Sequence, residues 1–243
     1  MKIIKLNATD STNSFLKDLS QNSTLENYTI VVTENQTKGR GQLNSNWVSE
    51  PSKNLTFSVF INFNSLKIIN NKHLNFAISL SIFNVLKAKK ILNLFIKWPN
   101  DILSGNKKIC GILIENTFKG DKIKNSVIGI GLNVNQEIFP NFLNKVTSLK
   151  LETSFEYNLD ELLKEIVIEI KKNIELLELE KFKLLEEKYL EVLYKKNIPT
   201  MFKNSKDEIF MGIISGISIN GNLQIQLEDD SIKEFGIKEI TFL

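Results

Sequence analysis

Four closely spaced β-type segments between residues 94 and 135 constrain the fold of this chain more than any other feature. They read LFIKW, DIL, KKICGILIEN and KIKNSVIGIGLNVN. Polar turns at Ser104-Gly105-Asn106 and Lys119-Gly120-Asp121 link the last three of them. Strands joined by such short turns pair as antiparallel neighbours, because a parallel pair needs a crossover of roughly a dozen residues. The region therefore predicts a mostly antiparallel sheet.

Helical and β-type patterns alternate in the first ninety residues. A strand over residues 2–6 leads to the capping run DSTN at 10–13 and a short helix. The segments YTIVVTE and NLTFSVFINF are typical of strands. Apolar residues at positions 74, 77, 78, 82, 85 and 86 predict a helix with a core face over residues 70–90.

The last third of the chain predicts long helices followed by a small β unit. The pattern is helical from Asn158 onwards, with one break near Leu179. Short β segments with a hairpin signal at Asn220-Gly221 follow. We therefore predict an α+β protein with a mixed, mostly antiparallel sheet and helices packed on one side of it. The predicted domains are residues 1–196 and a small β domain, residues 197–243, that docks on the larger one.

Charge and hydropathy argue against two kinds of partner. The chain has 31 basic and 28 acidic residues, a net charge of +3, and the two signs are interleaved. Neither DNA nor a membrane surface is therefore an expected partner. No run approaches the ~18 apolar residues of a membrane span, and the N-terminus has no signal-peptide pattern. One cysteine fits a reducing compartment, so we expect a cytoplasmic protein.

The single histidine and single cysteine exclude further chemistries. A zinc site of His and Cys cannot be assembled from His73 and Cys110 alone. His73 is expected on the surface of the helix at 70–90, and Cys110 is expected to be a buried small hydrophobe. No GxxxxGK[ST] phosphate loop is present, and the GIGLNVN segment at 129–135 lacks the third glycine of a dinucleotide-binding turn.

The polar stretch TENQTKGRGQLNSNW at residues 33–47 holds the only arginine of the chain, Arg40. Loops as long as residues 37–46 between two strands are more often functional than short ones. Gly39 and Gly41 free the backbone to approach an anion or a flat ligand, and Arg40 offers a planar donor fork for carboxylate or phosphate. A mobile surface turn with a solvated arginine is the alternative interpretation.

The segment KWPND at residues 97–101 carries the second candidate charge. Lys97 ends an apolar strand segment, and Pro99-Asn100-Asp101 turns the chain immediately after Trp98. A lysine at the mouth of a sheet is partly desolvated, so its ammonium can stabilise a developing anion. An edge lysine whose ammonium simply reaches solvent is the alternative.

These motifs together resemble one known family, the biotin protein ligases. The resemblance rests on DSTN at 10–13, NQTKGRG at 35–41 with Trp47 beyond it, KWPND, KKICGILIE and GIGLNVN, in this order. The resemblance extends over essentially the whole chain. The chain is similar to the short form of the enzyme, which has no N-terminal DNA-binding domain. The resemblance implies a class II synthetase-like biotin/lipoate ligase catalytic domain and an SH3-like β-barrel at the C-terminus.

The resemblance also implies an activity. Members of the family join biotin to ATP, giving biotinoyl-5′-adenylate and pyrophosphate, and then transfer the biotinoyl group to one lysine of a biotin carboxyl carrier protein, as in acetyl-CoA carboxylase. ATP and biotin are then substrates, and Mg²⁺ is expected because two anions must approach each other. Monomer and homodimer are both open. The resemblance does not imply which residues bind Mg²⁺, although Asp101 and Glu115 are acidic residues near the expected site.

The family pattern assigns roles to individual residues. Arg40 and Lys97 are the expected catalytic residues, with Lys97 touching both the biotinoyl carbonyl and the α-phosphate. The expected biotin-binding residues are Ser11, Thr12, Asn13, Gln36, Gly39, Arg40, Gly41, Gln42, Lys97, Gly111, Gly129 and Gly131. The expected ATP- or adenylate-binding residues are Arg40, Trp47, Lys97 and Asn133. Gly111 and Gly129 have a second interpretation as close-packing positions.

One departure from the family falls in the loop. Many members have further basic residues and a glycine between the GRG and the tryptophan, where this chain has Gln42-Leu43-Asn44-Ser45. Asn44 can adopt a positive φ, but the second positive charge is missing. Two rival functions share the fold: a lipoate or octanoate ligase or transferase, and a non-catalytic biotin-binding module.

Overall fold

The computed structural model of the protein describes residues 2–143 and 145–243. The larger sheet and its helices come first along the chain, and a second sheet follows. The elements are β1 Ile3–Thr9, α1 Thr12–Asn22, β2 Thr29–Gln36, β3 Leu55–Asn62, α2 Asn71–Ala88, β4 Leu94–Lys97, β5 Asp101–Ser104, β6 Lys107–Lys119, β7 Lys122–Leu132, α3 Leu149–Thr153, α4 Leu159–Glu178, α5 Phe182–Glu191, β8 Pro199–Asn204, β9 Ile209–Ile217, β10 Leu223–Gln226, β11 Ile232–Phe235 and β12 Ile240–Phe242.

The larger sheet has the strand order β1-β2-β3-β7-β6-β5-β4. β1 and β2 run parallel, and the other neighbours pair antiparallel. Gly105 and Gly120 have positive φ values of 58° and 62° in the turns that join β5 to β6 and β6 to β7. Glycine adopts this conformation without steric cost, which explains why the chain reverses there. The prediction of a mixed, mostly antiparallel sheet is confirmed.

Helices pack on both faces of this sheet. α1 packs against one face, where Leu16 joins a small buried cluster with Val31, Phe60 and Val127. The neighbouring residues of the same strands face α2 and α4 and belong to the main core. The prediction that the helices lie on one side is therefore wrong for α1. It connects the parallel strands β1 and β2, and such a crossover has to pass over one face of the sheet.

The second sheet has five strands in the order β11-β10-β9-β8-β12. The predicted hairpin is confirmed, because β9 pairs with β10 across a turn that contains Gly221, whose φ is 84°. Within the described residues 197–243 the sheet is open, with β11 and β12 at its edges. It does not close into the barrel that the resemblance implies.

The two sheets share one buried core. Phe202, Ile214 and Ile225 of the second sheet belong to the same hydrophobic cluster as the helices of the larger unit. The indole Nε1 of Trp98 donates to the carbonyl oxygen of Gly221 at 2.9 Å and ties the β4–β5 turn to the β9–β10 turn. The small β unit is thus docked on the larger one, and its last strand reaches the edge of the larger sheet.

The helical predictions hold with two differences, the short helix α3 and the position of His73. Asn158 caps α4, and the break falls between Glu178 and Phe182. The five-residue helix α3 was not predicted, because a single turn has too few residues to show a period. His73 is buried rather than on the surface, between the rings of Phe76 and Phe182. Cys110 is fully buried, as predicted.

Among residues 2–143 and 145–243, none of the helices combines the length and the apolar character that crossing a membrane requires.

Candidate active site

A cavity of about 400 Å³ lies on the α1 side of the larger sheet. Its walls come from the start of α1, the glycine loop, the β4–β5 turn, and strands β3, β6 and β7. The second sheet forms one more wall. Twelve of the residues predicted from the sequence line this cavity: Ser11, Thr12, Asn13, Gln36, Arg40, Gly41, Gln42, Trp47, Lys97, Gly111, Gly129 and Gly131. Gly39 and Asn133 lie outside the lining.

A buried polar cluster forms one end of the cavity. Ser11 caps α1, which fixes where the helix begins and directs the next two side chains toward the sheet. Thr12 donates from its backbone N–H to Gln36 Oε1 at 2.8 Å. Ser58 Oγ donates to Asn13 Oδ1 at 2.6 Å. Because these contacts orient each side chain, this end can hydrogen-bond a neutral polar ring without first rearranging.

Two glycines of β7 make room for side chains of the site. A Cβ atom at Gly129 would lie 2.3 Å from Asn13 Oδ1, and one at Gly131 would lie 2.4 Å from the indole ring of Trp47. Both distances are far shorter than any tolerated contact. The two glycines are therefore close-packing positions, and what packs on them is Asn13 and Trp47 of the cavity wall.

The glycine loop is a compact turn across the cavity mouth. The backbone N–H of Trp47 donates to Gly39 O at 2.9 Å, and that of Gly41 donates to Ser45 O at 2.7 Å. A Cβ at Gly39 would lie 2.3 Å from the carbonyl oxygen of Trp47, so only glycine allows this approach. Leu43 has a positive φ of 47°. The interpretation as a mobile, solvated turn does not fit these contacts.

Arg40 is held by two partners on opposite sides of its guanidinium. Nη1 donates to Ser14 Oγ at 2.9 Å, and Nη2 donates to Glu115 Oε1 at 3.0 Å. Its side chain remains 45% exposed, so part of the donor fork faces the cavity. The arginine is positioned by α1 and β6 rather than free in solvent.

Two lysines bring positive charge to the middle of the cavity. Lys97 Nζ lies 4.8 Å from the ring centroid of Phe242, and burial lowers the pKa of its ammonium. Lys108 Nζ lies 2.7 Å from Asp101 Oδ1 and 5.6 Å from the Trp47 ring centroid. Two cations in one cavity favour anionic groups there.

Sequence reasoning missed Lys108 and the wall from the second sheet. Lys108 lies within the KKICGILIE motif, but alternation counted back from Gly111 would place Ile109 rather than Lys108 on the cavity side. A register shift in the pairing of β5 with β6, next to Ile109, turns Lys108 toward the cavity, and the sequence gives no signal for it. No local signal marks the five C-terminal residues of the lining, which are Ile237, Lys238, Ile240, Thr241 and Phe242. Lys238 Nζ also donates to the carbonyl oxygen of Leu43 at 2.6 Å and thereby ties the second sheet to the glycine loop.

The remaining predicted residue has partners of its own. Asn133 is buried, and its Nδ2 donates to the carbonyl oxygen of Thr147 at 3.0 Å. It therefore supports the segment after β7 rather than the cavity wall.

The carboxylates near the cavity are already paired with cations. Asp101 contacts Lys108, and Glu115 contacts Arg40 and Lys17. Within the part of the chain that the structure describes, no group of three His, Cys, Asp or Glu side chains could hold a metal ion.

Comparisons with known proteins agree with this geometry. The model of the biotin/lipoate A/B protein ligase family matches residues 6–133. The bifunctional ligase/repressor BirA of Bacillus spizizenii is 31% identical over 148 residues, which are 60% of this chain and 45% of the relative. The match thus spans less than half of that protein. The BirA of Escherichia coli is 27% identical over 235 residues, 96% of this chain and 71% of the relative.

A solved structure matches the chain from end to end. The biotin protein ligase from Aquifex aeolicus in complex with biotin and ATP superimposes with a TM-score of 0.80 and 27% identity, and covers 100% of this chain and 98% of that one. The matched family region holds the polar cluster, the glycine loop, both lysines and the glycine floor of the cavity. The chain therefore belongs to the biotin/lipoate A/B protein ligase family.

Proposed function

We propose that this protein is an ATP-dependent biotin protein ligase. It activates the carboxylate of biotin as biotinoyl-5′-adenylate, releases pyrophosphate, and transfers the biotinoyl group to a lysine of a biotin carboxyl carrier protein. The observation that carries the proposal is a single cavity with a neutral polar cluster at one end and three cations further along it. The similarity to a ligase bound to biotin and ATP supports the same substrates.

The polar cluster suits a ureido ring. Such a ring carries one carbonyl acceptor and two N–H donors, and it has no charge. Thr12, Asn13 and Gln36 offer hydroxyl and carboxamide groups that can meet both kinds of partner. Because the cluster is buried, a ligand that lacks these groups would leave polar atoms without partners and would bind more weakly.

The three cations suit the anions of the reaction. A carboxylate must approach the α-phosphate of ATP, and Arg40, Lys97 and Lys108 line the space in which they would meet. Fixed positive charges reduce the repulsion and stabilise the charge that develops on the phosphate oxygens. We assign Lys108 to this group together with the two residues indicated by the sequence, since its ammonium lies beside Trp47. Trp47 would then cover the adenine.

We also propose that Mg²⁺ binds in the cavity together with ATP. The paired carboxylates Asp101 and Glu115 leave the phosphate oxygens as its main ligands. Bound there, it would neutralise the pyrophosphate leaving group.

The transfer step needs a second protein as substrate. The relative from Paracoccus denitrificans is a biotin--[acetyl-CoA-carboxylase] ligase, 30% identical over 128 residues, 52% of each chain. A carrier domain of that kind is the proposed partner, in the cytoplasm. We further propose residues 1–196 as the catalytic domain and residues 197–243 as a small SH3-like β domain that completes the cavity wall.

One experiment separates the candidate functions. Pyrophosphate release from ATP is measured with biotin, lipoate and octanoate in separate reactions, followed by labelling of a carrier protein. We expect release with biotin alone and one labelled lysine on the carrier. Release with lipoate or octanoate would instead support the related ligases of the family. Biotin binding without release would support a non-catalytic binding module.

A further inference from the structure

Glu115 on β6 lies just behind the cavity wall and connects two of its parts. Its Oε1 accepts from Arg40 Nη2 at 3.0 Å and lies 3.5 Å from Lys17 Nζ. Its Oε2 accepts from Asn13 Nδ2 at 3.0 Å. One carboxylate thus joins the glycine loop to the first turn of α1, although Arg40 and Asn13 are 27 positions apart in the sequence.

The carboxylate is mostly buried and charged. Its side chain is 18% exposed. Burial alone would raise the pKa of Glu115, but hydrogen bonds from Asn13 and Arg40 and the charges of Arg40 and Lys17 lower it below the usual value. The group is therefore a carboxylate at neutral pH, and hydrogen bonds to a charged acceptor are stronger and more directional than those between neutral groups.

The carboxamide of Asn13 is held by hydrogen bonds to both its oxygen and its nitrogen, one of them with Glu115. Its Oδ1 accepts from Ser58 Oγ at 2.6 Å, and the backbone at Gly129 approaches so closely that any side chain there would collide with it. Its Nδ2 is shared between Glu115 and the carbonyl oxygen of Leu113, at 3.0 and 3.3 Å. Glu115 and the Leu113 carbonyl oxygen both accept only from the amide nitrogen, so Glu115, which makes the shorter contact, helps to fix which way the carboxamide faces.

Arg40 depends on the same carboxylate. Ser14 holds Nη1, and Glu115 holds Nη2, so the plane of the guanidinium is set by two contacts on different elements. Without Glu115, a long side chain that is nearly half exposed would keep one neutral contact and regain rotamer freedom.

We propose that Glu115 is a positioning residue that sets Arg40 and Asn13 in a fixed relation to each other. This rests on the proposed function, in which Asn13 contacts the ring of biotin and Arg40 its carboxylate. A substrate that must be held at both ends binds well only if the two ends of the site keep their distance and orientation. Loss of Glu115 would therefore weaken biotin binding without removing any group that touches it.

The test uses Glu115→Gln, Glu115→Asp and Glu115→Ala in the full-length protein. Biotin-dependent ATP–pyrophosphate exchange gives KM for biotin and kcat, and thermal unfolding gives Tm. We expect KM for biotin to rise about tenfold or more in Glu115→Gln, which keeps the shape and loses the charge. Glu115→Asp should recover part of the loss because it keeps the charge. Glu165→Gln is the control, since Glu165 pairs with Lys89 away from the cavity, and its KM should not change.

A double-mutant cycle distinguishes positioning from general support of the fold. The effect of Glu115→Gln on KM should shrink when Arg40 is already replaced by alanine, because one of its two targets is gone. An equal effect with and without Arg40 would overturn the inference, and so would an unchanged KM in Glu115→Gln and Glu115→Ala. If Glu115→Ala does not fold, the Gln variant alone decides. A wild-type protein that shows no biotin-dependent exchange would instead refute the proposed function.

Discussion

Arg40 is the only arginine among 31 basic residues, and the structure gives a reason why lysine would not serve in its place. The two terminal nitrogens of its guanidinium reach Ser14 and Glu115 in different directions. A lysine ammonium is a single point of charge on a flexible stem and can satisfy one of these partners at the correct distance, but not both in a fixed plane. Arg40→Lys should therefore raise KM for biotin although it preserves the charge.

Gln42 lines the same cavity two residues further along the loop and carries no charge. Many members of the family have a basic residue in this stretch. We predict that Gln42→Arg slows the release of preformed biotinoyl-adenylate, because the added guanidinium would make a charge-assisted contact of ~1.5–3 kcal/mol with the adenylate phosphate. The measurement is a single-turnover chase in wild type, Gln42→Arg and Arg40→Lys. Equal release rates in all three proteins would contradict the prediction.

Lys97 provides the second prediction for a single residue. Lys97→Ala should reduce adenylate formation by ~10²–10³, the usual cost of losing one group that stabilises developing charge. Tm should change little, because the ammonium contacts Phe242 at the cavity wall and has no carboxylate within salt-bridge distance among the residues that the structure describes. Lys108→Ala is the matched variant, since it removes the other lysine of the cavity. Near-normal turnover in Lys97→Ala with strong loss in Lys108→Ala would assign the role to Lys108 alone.

At the scale of elements, α2 and α5 meet around the buried His73. Its ring stacks on Phe182 with centroids 4.7 Å apart, and its Nδ1 has no hydrogen-bond partner among the described residues. Burial, together with the charge of Lys72, lowers the pKa of His73 below its usual 6.5, and the nearby Glu186 offsets only part of this. The folded protein therefore resists protonation at this helix contact.

This arrangement predicts a dependence of stability on pH. Below about pH 6.5 the unfolded chain takes up a proton on His73 more readily than the folded chain does, so stability should fall as the pH decreases from 7 toward 5. His73→Phe keeps an aromatic ring at the contact and removes the titration. Thermal unfolding between pH 5 and 7 should therefore show a shallower slope for the variant, and an unchanged slope would mean that other groups cause the effect.

The elements themselves were largely predictable, and the exceptions have physical causes. The alternation in β3 and the turns at Gly105 and Gly120 follow from local sequence, because pleating and positive φ are local requirements. The face of the sheet on which α1 packs could not be predicted, since it depends on the parallel pairing of β1 with β2. The burial of His73 also escaped prediction, because its cover comes from α5, more than a hundred residues away.

The whole molecule holds two sheets around one core, and the cavity lies where they meet. Phe242 and Lys238 reach Lys97 and the glycine loop from the opposite end of the chain. The sequence alone could locate most of the cavity lining, because the motifs of the family occur in this chain in their usual order. The motifs could not locate the wall that the second sheet forms, since the docking of one unit on another leaves no periodic signal in the sequence of either unit.

A shared core predicts that both sheets unfold together. Calorimetry should give one transition for the full chain, since the buried residues of the second sheet belong to the main cluster. Trp98→Phe removes the hydrogen bond to Gly221 and should lower Tm by at least about 2–4 °C while keeping a single transition. Two resolved transitions in the wild type would mean that the second sheet folds independently.

Both tryptophans of the chain line the cavity, Trp47 on the floor beneath the loop and Trp98 beside the second sheet. All indole fluorescence of the protein therefore originates in the walls of the candidate site. Trp47 lies under the charge of Lys108, and Trp98 is hydrogen-bonded to Gly221. The protein thus carries its own optical probe at the cavity: with Trp98 replaced by phenylalanine, emission reports on the loop, and with Trp47 replaced, it reports on the contact between the two sheets.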